Sequence, residues 1–290
     1  MDKNRRESPT TQLRKRLAQP GIVVAPGCYD AVSAKLIERA GFEVAYMTGF
    51  GSTASVLGLP DTGIMDFTQM ATHASNLANV LNIPLIADAD TGYGNAINTH
   101  RTVQTYARNG VAGIQLEDQV SPKRCGHTEG KALIPLPEMV GKLRAARDAS
   151  DEIVIVARTD ARAVEGFEAA LERCLAFEEA GADVIFLEAP RNLEEMQEIP
   201  KHLKKPLLAN MVEGGHTPFL NGAQLEALGF KIAIYPVTLL LSAVHTMQKQ
   251  LHRFRAQDHD AILPEQISFL ELQELVGFPE YDAMSKQYQS

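Results

Sequence analysis

The sequence lacks any apolar run that approaches the roughly 20 residues needed to cross a membrane. It is also poor in cysteine: Cys28, Cys125 and Cys174 are odd in number and widely spaced, which disfavours a disulfide framework and is typical of a reduced intracellular protein. Residues 1–17 carry basic side chains but no apolar stretch of the signal-peptide type. These absences predict a cytoplasmic protein, although the Arg, Ser and Thr residues of this segment are also compatible with an organellar address.

The chain has fewer basic than acidic residues. The chain has 28 Lys and Arg against 36 Asp and Glu, a net charge of -8 and a pI near 5.5. This balance argues against sequence-independent nucleic-acid binding, which depends on basic patches that neutralise phosphates. An acidic protein that handles an anionic substrate needs positive charge at one place, from a metal ion or from a few Arg and Lys. We therefore expect a small-molecule substrate, with no nucleic acid and no membrane among the partners.

Eight short apolar runs alternate with segments that have apolar residues at helical spacing. The runs, which we interpret as buried parallel strands, cover residues 22–25, 44–47, 85–87, 113–116, 153–157, 184–187, 207–209 and 232–235. The helical segments include residues 31–40, 67–80, 99–108, 137–149, 167–180 and 193–203. Glycines that suit helix C-termini follow at Gly41, Gly110, Gly181 and Gly229. In a chain of 290 residues this alternation predicts an α/β fold, the closed (β/α)8 or TIM barrel.

An open doubly wound sheet shares this alternation. No G-x-G-x-x-G follows the first apolar run, which argues against that fold. In addition, a polar or charged residue stands at the carboxyl end of nearly every predicted strand, where barrels carry their chemistry. These residues are Asp30, Thr48, Asp88 with Asp90, Glu117 with Asp118, Arg158 with Asp160, Glu188 and Asn210. The sequence therefore favours a barrel with an active site at its mouth.

We expect residues 1–290 to form one barrel domain, with about residues 239–290 as a helical C-terminal extension. Apolar helical segments cover residues 239–254 and 267–275, and a polar stretch lies around residues 257–260. A barrel closes with one helix after its eighth strand, so this tail is surplus. Its amphipathic character predicts packing on its own barrel or, as we favour, on a neighbouring subunit.

Four acidic residues are candidates for a metal site that has no His or Cys ligand. Asp88 and Asp90 end the third strand, Glu117 ends the fourth, and Asp61 follows the segment GLP. Hard oxygen donors suit Mg2+ or Mn2+, and a site with few direct carboxylates and several waters suits Mg2+ in particular. The alternative is that these acids cap helices or pair with basic residues, and it is strongest for Asp61. The two acids of the third strand would repel each other without a cation between them.

The segment KRCGH is the most distinctive stretch of the chain. Cys125 lies among basic residues that include Lys123 and His127. Cationic neighbours favour a thiolate and make a thiol a competent acid, base or nucleophile near neutral pH. We therefore include Cys125, Lys123 and His127 among the predicted catalytic residues. The ordinary alternative for a free cysteine is a buried structural role, and this is our interpretation of Cys28 and Cys174.

Arg158 follows the apolar run IVIVA at the end of the fifth strand. Its fixed guanidinium fork suits a substrate carboxylate, and the alternative is a structural pair with Asp160. Glycines after the third strand and around Cys125 predict two mobile loops that gate the site. His216 is left out of the catalytic set, because a lone loop His is more often solvated or helix-capping.

Six segments together resemble the isocitrate lyase and phosphoenolpyruvate mutase superfamily. They are LGLPD at 57–61, DADTGYGN at 88–95, LEDQ at 116–119, PKRCGH at 122–127, ARTDAR at 157–162 and LLANMVEGG at 207–215. The resemblance runs from about residue 12 to the last residues, and K-[KR]-C-G-H after an E-D-Q strand is highly specific. It implies a (β/α)8 barrel, Mg2+, a gating loop that carries the cysteine, and a homotetramer in which the last helices swap between subunits.

The resemblance also implies roles for individual residues. Asp88 would contact Mg2+ directly, and the acids that would hold its waters are Asp61, Asp90 and Glu117. The substrate-binding residues would be Thr48, Gly49, Phe50, Arg158, Glu188 and Asn210. Tyr46 would lie near the substrate hydroxyl, and Cys125 would protonate the departing carbanion. This assignment agrees with the chemistry of carbon-carbon cleavage in a 2-hydroxydiacid, which needs a cation to stabilise charge and an acid to quench it.

Two positions bear on the substrate. Isocitrate and methylisocitrate lyases commonly carry His where this chain has Gln115, and methylisocitrate lyases usually have Gly where Phe50 stands. A phenyl group at the pocket wall would leave less room for a third carboxylate, which favours a smaller diacid with methyl groups. The segments NMVEGG and FLELQELVGFPEYDAM resemble 2,3-dimethylmalate lyases, the related plant petal-death protein and carboxyphosphoenolpyruvate phosphonomutases.

The leading hypothesis is a Mg2+-dependent lyase that cleaves a 2-hydroxydicarboxylate, of the 2,3-dimethylmalate or 2-methylisocitrate type, to pyruvate and a saturated acid. The second is a carboxyphosphoenolpyruvate phosphonomutase, which moves a phosphoryl group from oxygen to carbon. The third is an oxaloacetate decarboxylase or hydrolase. A barrel that only binds or supports other molecules would be expected to have lost the metal acids or Cys125, and all of them are present.

Overall fold

A barrel of parallel strands forms the centre of the computed structural model, which describes residues 7–126, 128, 130–257 and 266–289. Each of the eight predicted apolar runs contributes one strand. The bounds are β1 Val23–Cys28, β2 Ala45–Met47, β3 Leu85–Asp88, β4 Gly113–Glu117, β5 Val154–Thr159, β6 Val184–Leu187, β7 Leu208–Asn210 and β8 Ile232–Tyr235. The runs are apolar throughout because parallel strands in such a fold are buried on both faces.

The strands pair in the order β6-β5-β4-β3-β2-β1-β8-β7. The first and last strands are neighbours, with Val23 opposite Ile232. A further parallel bridge between Ile185 and Leu207 links β6 to β7, so that the sheet is nearly closed. The predicted (β/α)8 barrel is therefore confirmed, and the pairing of β1 with β8 excludes the open doubly wound sheet.

Helices surround the barrel. Within the described residues they are α1 Pro9–Ala18, α2 Ala31–Arg39, α3 Gly49–Leu57, α4 Phe67–Val80, α5 Ala96–Arg108, α6 Leu136–Ala149, α7 Ala161–Val164, α8 Phe167–Glu179, α9 Leu193–His202, α10 Gly222–Leu228, α11 Thr238–Arg255, α12 Phe269–Val276 and α13 Phe278–Tyr288. The six helical segments predicted between the strands all form. Helix α5 begins three residues earlier than predicted, because the Asn95 side chain accepts hydrogen bonds from the backbone N–H groups of Ile97 and Asn98.

The four glycines predicted at helix ends adopt the left-handed conformation. Gly41, Gly110, Gly181 and Gly229 have φ angles between 84° and 102°. A residue with a Cβ is strained in this region, whereas glycine enters it freely. The helix ends that were inferred from the sequence are therefore correct at these four positions.

Helix α1 covers the amino-terminal end of the barrel, although its polar composition gave no helical signal. Ser8 caps the helix and Pro9 occupies its first turn. Leu13 is fully buried in the apolar layer inside the barrel, where its side chain lies against Gly113 at the start of β4. The next residue, Arg14, pairs with Asp183 just before β6 at 3.0 Å. A second ion pair joins Arg16 to Glu43 at 2.7 Å. A buried leucine and these arginines thus dock a helix that is otherwise largely polar.

Three helices, α11 to α13, follow β8. The predicted apolar segments 239–254 and 267–275 are helical, while the polar stretch 257–260 lies largely outside the described residues. Helix α12 contacts α2. Large apolar side chains remain exposed along these helices, among them Met247 at 54%, Phe269 at 75% and Tyr288 at 79%. No helix in the described part of the chain has the length and apolar character needed to span a bilayer.

We expect Leu13→Ala to lower the free energy of unfolding by about 2–5 kcal/mol, because it removes a fully buried side chain and leaves a cavity between α1 and the barrel. Urea denaturation followed by circular dichroism measures the change. Leu193→Ala is the matched control: Leu193 is 44% exposed, and its replacement should change stability by no more than about 0.5 kcal/mol. Equal, small effects at both positions would contradict the docking role of Leu13.

Candidate active site

A cavity of about 300 Å3 opens at the carboxyl ends of the strands. This is the end at which (β/α)8 barrels carry their chemistry. Its lining includes many residues predicted from the sequence, which are Tyr46, Thr48, Gly49, Phe50, Asp61, Asp88, Lys123, Cys125, Arg158, Glu188 and Asn210. The structure thus brings together side chains that are as much as 164 positions apart in the sequence.

Helix α3 begins directly at the cavity. Thr48 directly follows β2 and caps the helix, its Oγ1 accepting a hydrogen bond from the backbone N–H of Gly51 at 3.1 Å. Gly49 lies so close to Asp88 that a Cβ at this position would overlap the carboxylate. The absence of a side chain at Gly49 therefore allows the amino-terminal end of α3 to approach the end of β3. An oriented helix N-terminus favours anions, so this end of α3 suits a carboxylate.

The predicted metal acids surround the Lys123 ammonium. Lys123 Nζ lies 2.5 Å from Asp61 Oδ1 and 3.0 Å from Asp90 Oδ1. Asp88 Oδ1 accepts a hydrogen bond from the backbone N–H of Asp90 at 2.9 Å, which fixes the two acids relative to each other. Glu117 is 1% exposed at the end of β4. Lys123 thus belongs to the acidic cluster, which we define as Asp61, Asp88, Asp90 and Glu117.

Burial dominates the electrostatics of the acidic cluster. It raises the pKa of Asp90 to about 7, although the Lys123 ammonium opposes the shift. It also raises the pKa of Asp88, and it raises the pKa of Glu117 well above its usual value against the opposing charge of Arg158. Burial alone would lower the pKa of Lys123, but Asp90 and Asp61 outweigh it and hold that pKa well above its usual value. For these three acids, burial therefore favours the uncharged form more strongly than the neighbouring cations favour the charged form.

The acidic cluster can supply part, but not all, of the ligands of a hard divalent cation. Its donors are all carboxylate oxygens, and Glu117 Oε1 is buried without a hydrogen-bond partner among the described residues. No three His, Cys, Asp or Glu side chains of the described chain are arranged to hold an ion by themselves. Such a site suits an ion that takes one or two carboxylates directly and completes its octahedron with water and substrate, as Mg2+ commonly does.

Tyr46 stands at the centre of the barrel and is 3% exposed. Its hydroxyl donates to Gln115 Oε1 at 2.8 Å, and Gln115 Nε2 donates to Asp88 Oδ1 at 3.3 Å. Burial raises the pKa of Tyr46 well above its usual value, and the charge of Asp88 acts in the same direction. The phenol is therefore a neutral hydrogen-bonding group, connected through Gln115 to the acidic cluster.

Arg158 lines the cavity and is also paired with Asp160. Its Nε lies 3.0 Å from Asp160 Oδ2 and its Nη2 lies 3.0 Å from Asp160 Oδ1, a bidentate arrangement. Its Nη1 lies 3.3 Å from Glu117 Oε2. The structural pair considered as an alternative is therefore present, and it is compatible with a substrate role because it fixes the guanidinium at the cavity wall.

The segment that carries Cys125 lies over the cavity in a closed arrangement. Gly126 is in contact with Arg158 and Glu188 so closely that a Cβ would overlap both side chains. The Thr128 hydroxyl donates to the Cys125 carbonyl at 2.8 Å. On the preceding side, Gln119 holds the Arg124 backbone through two hydrogen bonds of 2.8 and 2.9 Å. We call residues 123–126 the cysteine segment.

Other predicted residues lie elsewhere. Asp90 and Glu117 are buried beside the cavity rather than in its lining. His127 falls outside the described residues, so its catalytic role stays a prediction. His216 is exposed and lies outside the cavity lining. Cys28 and Cys174 are fully buried, as their structural interpretation requires.

Several residues at or around the cavity were not among the predicted site residues, although Gln115 was noted for its bearing on the substrate. They are Gln115, which joins Tyr46 to Asp88; Gln119, which holds the cysteine segment; Lys131, which contacts Asp160; and Val212, Glu213, Val237 and Leu241 in the lining. Gln115 and Gln119 have a detectable signal, because each is a polar residue buried in or just after an apolar strand. Lys131 has none, because a lysine in a loop ordinarily indicates a solvated position.

The fold and this site define a class, the (β/α)8 enzymes with an acidic cluster and a cysteine-bearing segment at the barrel mouth. The family model described as phosphoenolpyruvate phosphomutase matches residues 13–255, and the chain belongs to this family. The 2,3-dimethylmalate lyase of Eubacterium barkeri is 45% identical over 280 residues, which cover 96% of this chain and 97% of that protein. The 2-methylisocitrate lyase of Aeropyrum pernix is 45% identical over 95% of this chain and 90% of that protein. The predicted superfamily is confirmed.

Solved structures extend the comparison. Oxaloacetate acetylhydrolase in complex with the inhibitor 3,3-difluorooxalacetate superposes with a TM-score of 0.93 and is 38% identical, covering 98% of both chains. Phosphonopyruvate hydrolase in complex with oxalate and Mg2+ superposes with a TM-score of 0.87 and is 30% identical, covering 98% of this chain and all of that one. The barrel and its tail are thus shared with enzymes of several names.

We expect Gly126→Ala to hold the cysteine segment away from the cavity, because the added methyl group would overlap Arg158 and Glu188. Cys125 should then react about tenfold faster with iodoacetamide, as expected for a thiol released from a closed loop. Mass spectrometry resolves this reaction, since the other two cysteines are fully buried. Gly141→Ala in α6, where a Cβ meets nothing within 4 Å, is the control. Unchanged reactivity in Gly126→Ala would show that the closed contact is unimportant.

Proposed function

We propose that the protein is a Mg2+-dependent carbon-carbon lyase that cleaves a 2-hydroxydicarboxylate to pyruvate and a saturated acid. The observation that carries this proposal is one cavity lined by metal acids, by a fixed arginine and by a cysteine on a closed segment. The names of the relatives support the reaction class, since two of them at 45% identity are lyases of this kind.

The acidic cluster is the proposed metal site. Asp88 would bind the ion directly, and Asp61, Asp90 and Glu117 would hold its waters. When bound, Mg2+ would supply positive charge beside the oxygens of the 2-oxo-acid portion of the substrate. The Mg2+ in the phosphonopyruvate hydrolase complex supports this choice of metal, and Mn2+ has the same preference for oxygen donors.

The substrate carboxylate next to the hydroxyl would lie between Arg158 and the amino-terminal end of α3. Arg158 is held by two hydrogen bonds to Asp160, and its side chain lines the cavity. Gly49 would contribute its backbone N–H group at the start of the helix, and Thr48, whose own N–H donates to the Cys28 carbonyl, would contribute its hydroxyl group. Glu188, which lies 3.8 Å from Arg158, and Asn210, which donates to Glu188 at 3.2 Å, would line the wall beside the arginine.

Cleavage breaks the bond between C2 and C3. The hydroxyl group on C2 would lose its proton to a carboxylate of the cavity lining, such as that of Glu188, which would pass it to solvent. The C2 oxygen would become the carbonyl of pyruvate, and the bonding electron pair would remain on C3 next to the second carboxylate. The Cys125 thiol would donate a proton to C3 and yield the saturated acid, after which the thiolate is reprotonated from solvent. Tyr46 would hydrogen-bond to the C2 oxygen. Lys123 would balance the negative charge of the acidic cluster, and together with His127 it would assist proton transfer by Cys125. Closure by the cysteine segment excludes water from the carbanion.

The cavity wall favours a methyl-bearing dicarboxylate over a tricarboxylate. Phe50 contributes a phenyl ring, and the other apolar lining residues are Val212, Ile234, Val237 and Leu241. The cations in the described lining are Lys123 and Arg158, and both already face carboxylates. A third substrate carboxylate would therefore meet apolar surface, which costs the free energy of its desolvation. This supports a 2,3-dimethylmalate type of substrate ahead of 2-methylisocitrate.

A hydrolase or decarboxylase of oxaloacetate is the second candidate. The likeness to oxaloacetate acetylhydrolase favours it, since that barrel superposes over nearly the whole chain. A phosphonomutase is the third, favoured by the description of the family model. All three reactions pass through a 2-oxo acid or its enolate, so the same metal acids and the same arginine would serve each of them.

The proposal extends to the quaternary structure. The exposed apolar side chains of α11 to α13 support a homotetramer in which these helices pack on a neighbouring subunit, because a monomer would leave them in water. We further propose that residues 1–290 are one barrel domain with the tail from about residue 239 as its extension, and that the protein acts in the cytoplasm.

The reaction class is tested by measuring 2-oxo-acid release with Mg2+ from 2,3-dimethylmalate, 2-methylisocitrate, isocitrate and oxaloacetate. We expect release from 2,3-dimethylmalate that is abolished by EDTA and restored by added Mg2+. Asp88→Ala should lower turnover by at least about a thousandfold, as expected when a metal ligand is lost, whereas Asp148→Ala on the exposed face of α6 should leave it unchanged. Release of pyruvate from oxaloacetate alone would favour the decarboxylase, and loss of oxaloacetate without a 2-oxo-acid product would favour the hydrolase. Silence across the panel would favour phosphonate chemistry.

We expect Cys125→Ser to reduce lyase turnover by about 100–10,000-fold, because a serine hydroxyl is a much weaker acid than a thiol and proton transfer contributes on that scale. Binding of pyruvate in the presence of Mg2+ should persist, which isothermal titration calorimetry measures. Full turnover in the variant would remove Cys125 from the acid role, and loss of pyruvate binding would assign it to substrate binding instead.

A further inference from the structure

Lys131 is a buried lysine that the proposed reaction does not use. Its side chain is 2% exposed, although it follows the cysteine segment in a loop. A buried ammonium group must satisfy its charge and its three donors within the protein. The partners of Lys131 therefore indicate what keeps it buried.

Lys131 joins the cysteine segment to the arginine of the cavity. Its Nζ donates to the backbone carbonyl of Gly126 and also lies 3.0 Å from Asp160 Oδ1. The same Asp160 binds Arg158 with both carboxylate oxygens. Gly126 in turn touches Arg158 and Glu188. The contacts Gly126–Lys131, Lys131–Asp160, Asp160–Arg158 and Arg158–Gly126 therefore form a ring that joins the cysteine segment to the end of β5.

The contacts on either side of the cysteine segment differ in kind. Gln119 holds the Arg124 backbone before the cysteine through two neutral hydrogen bonds, and the residues it joins are five positions apart. Lys131 holds the backbone after the cysteine, and it reaches across to Asp160 on the β5 side of the barrel. The Gln119 contact shapes the segment itself, whereas the Lys131 contact connects the segment to another part of the barrel. An open segment would lose the Gly126 contact.

We propose that Lys131 is a positioning residue that latches the cysteine segment closed by bridging the Gly126 carbonyl to Asp160. The inference rests on the proposed function for its catalytic consequence, but the latch itself is independent of the reaction catalysed. Lys131 does not touch the substrate. It acts by holding Cys125 over the reacting carbon while Asp160 holds the guanidinium that orients the substrate.

If Lys131 acts as this latch, its replacement should lower kcat while leaving KM nearly unchanged. In Lys131→Met, Asp160 retains both hydrogen bonds to Arg158, so the carboxylate site is preserved and KM should change by less than about threefold. The segment loses its charged anchor, so kcat should fall by about 10–100-fold, the scale on which a small displacement of a catalytic group acts. A residue that only stabilised the fold would instead lower the melting temperature and leave kcat of the folded enzyme unchanged.

Alkylation of Cys125 by iodoacetamide tests the latch without any turnover. The full chain is labelled with Mg2+ and saturating oxalate, which mimics the enolate of a 2-oxo acid, and the rate at Cys125 is followed by mass spectrometry. Lys131→Met should label at least about tenfold faster than the wild type, because its segment opens more often. Lys131→Arg, which retains a charged donor, should restore most of the protection. Lys201→Met on the exposed surface of α9 is the matched control.

The outcomes are distinct. Equal labelling rates in Lys131→Met and the wild type, with both proteins folded by circular dichroism, would overturn the latch. If Lys131→Met does not fold, Lys131→Gln, which retains a neutral donor for Gly126, supplies the comparison and should label faster than the wild type. Faster labelling in a protein that is silent on the hydroxydiacid panel would retain the latch and reject the proposed function. Turnover on that panel with unchanged labelling would do the reverse.

Discussion

The concentration of buried charge at the barrel mouth is the constraint on which the rest of the structure depends. Six carboxylates lie there with little or no exposure, those of Asp61, Asp88, Asp90, Glu117, Asp160 and Glu188, and the cations among them are Lys123, Lys131 and Arg158. Burying unbalanced charge is costly, so Lys123 and Arg158 each lie close to more than one acid, and Lys131 pairs with Asp160 and a backbone carbonyl. The loop that brings in both lysines is therefore shaped by the charge that it neutralises. Negative charge remains in excess, which is the condition under which a divalent cation binds.

Stability and chemistry are placed at opposite ends of the barrel. At the amino-terminal end, Asp183 receives Arg14 and Arg147, and Leu13 fills the apolar interior, so these groups satisfy one another. At the carboxyl end, Glu117 Oε1 lies buried without a protein partner among the described residues, and burial shifts the acid pKa values upward. A protein can keep such unsatisfied groups only when apolar packing elsewhere offsets their cost.

The sequence was sufficient for the barrel because the signal for each strand is local. A run such as IVIVA is apolar on both faces, and Gly181 or Gly229 ends a helix through its own backbone conformation. The convergence of polar residues at the strand ends follows from that pattern, so most of the cavity could be named in advance. Helix α1 could not be found in this way, because its one buried leucine is recognisable only once the barrel interior exists.

The interaction partners of the charged site residues were harder to predict than the presence of these residues at the site. Lys123 stands next to Cys125 in sequence and was assigned to the thiol, yet its ammonium faces Asp61, which is 62 positions earlier. Arg158 was assigned to the substrate with Asp160 as an alternative, and the structure combines the two. Lys131 gave no signal because burial of a loop lysine depends on Asp160 and Gly126 meeting at the same point. Pairings of this kind are long-range, and a single sequence contains no measure of them.

The packing of α1 against the amino-terminal end of the barrel affects how small molecules reach the cavity. Leu13 and the apolar residues around it fill the interior of the barrel at its amino-terminal end, and the cavity lies at the opposite end, where Cys125 and Gly126 line it. A small molecule that binds in this cavity would therefore enter and leave at the end of the barrel that the cysteine segment partly covers. The position of this segment would then bear on the rates of binding and release as well as on the chemistry.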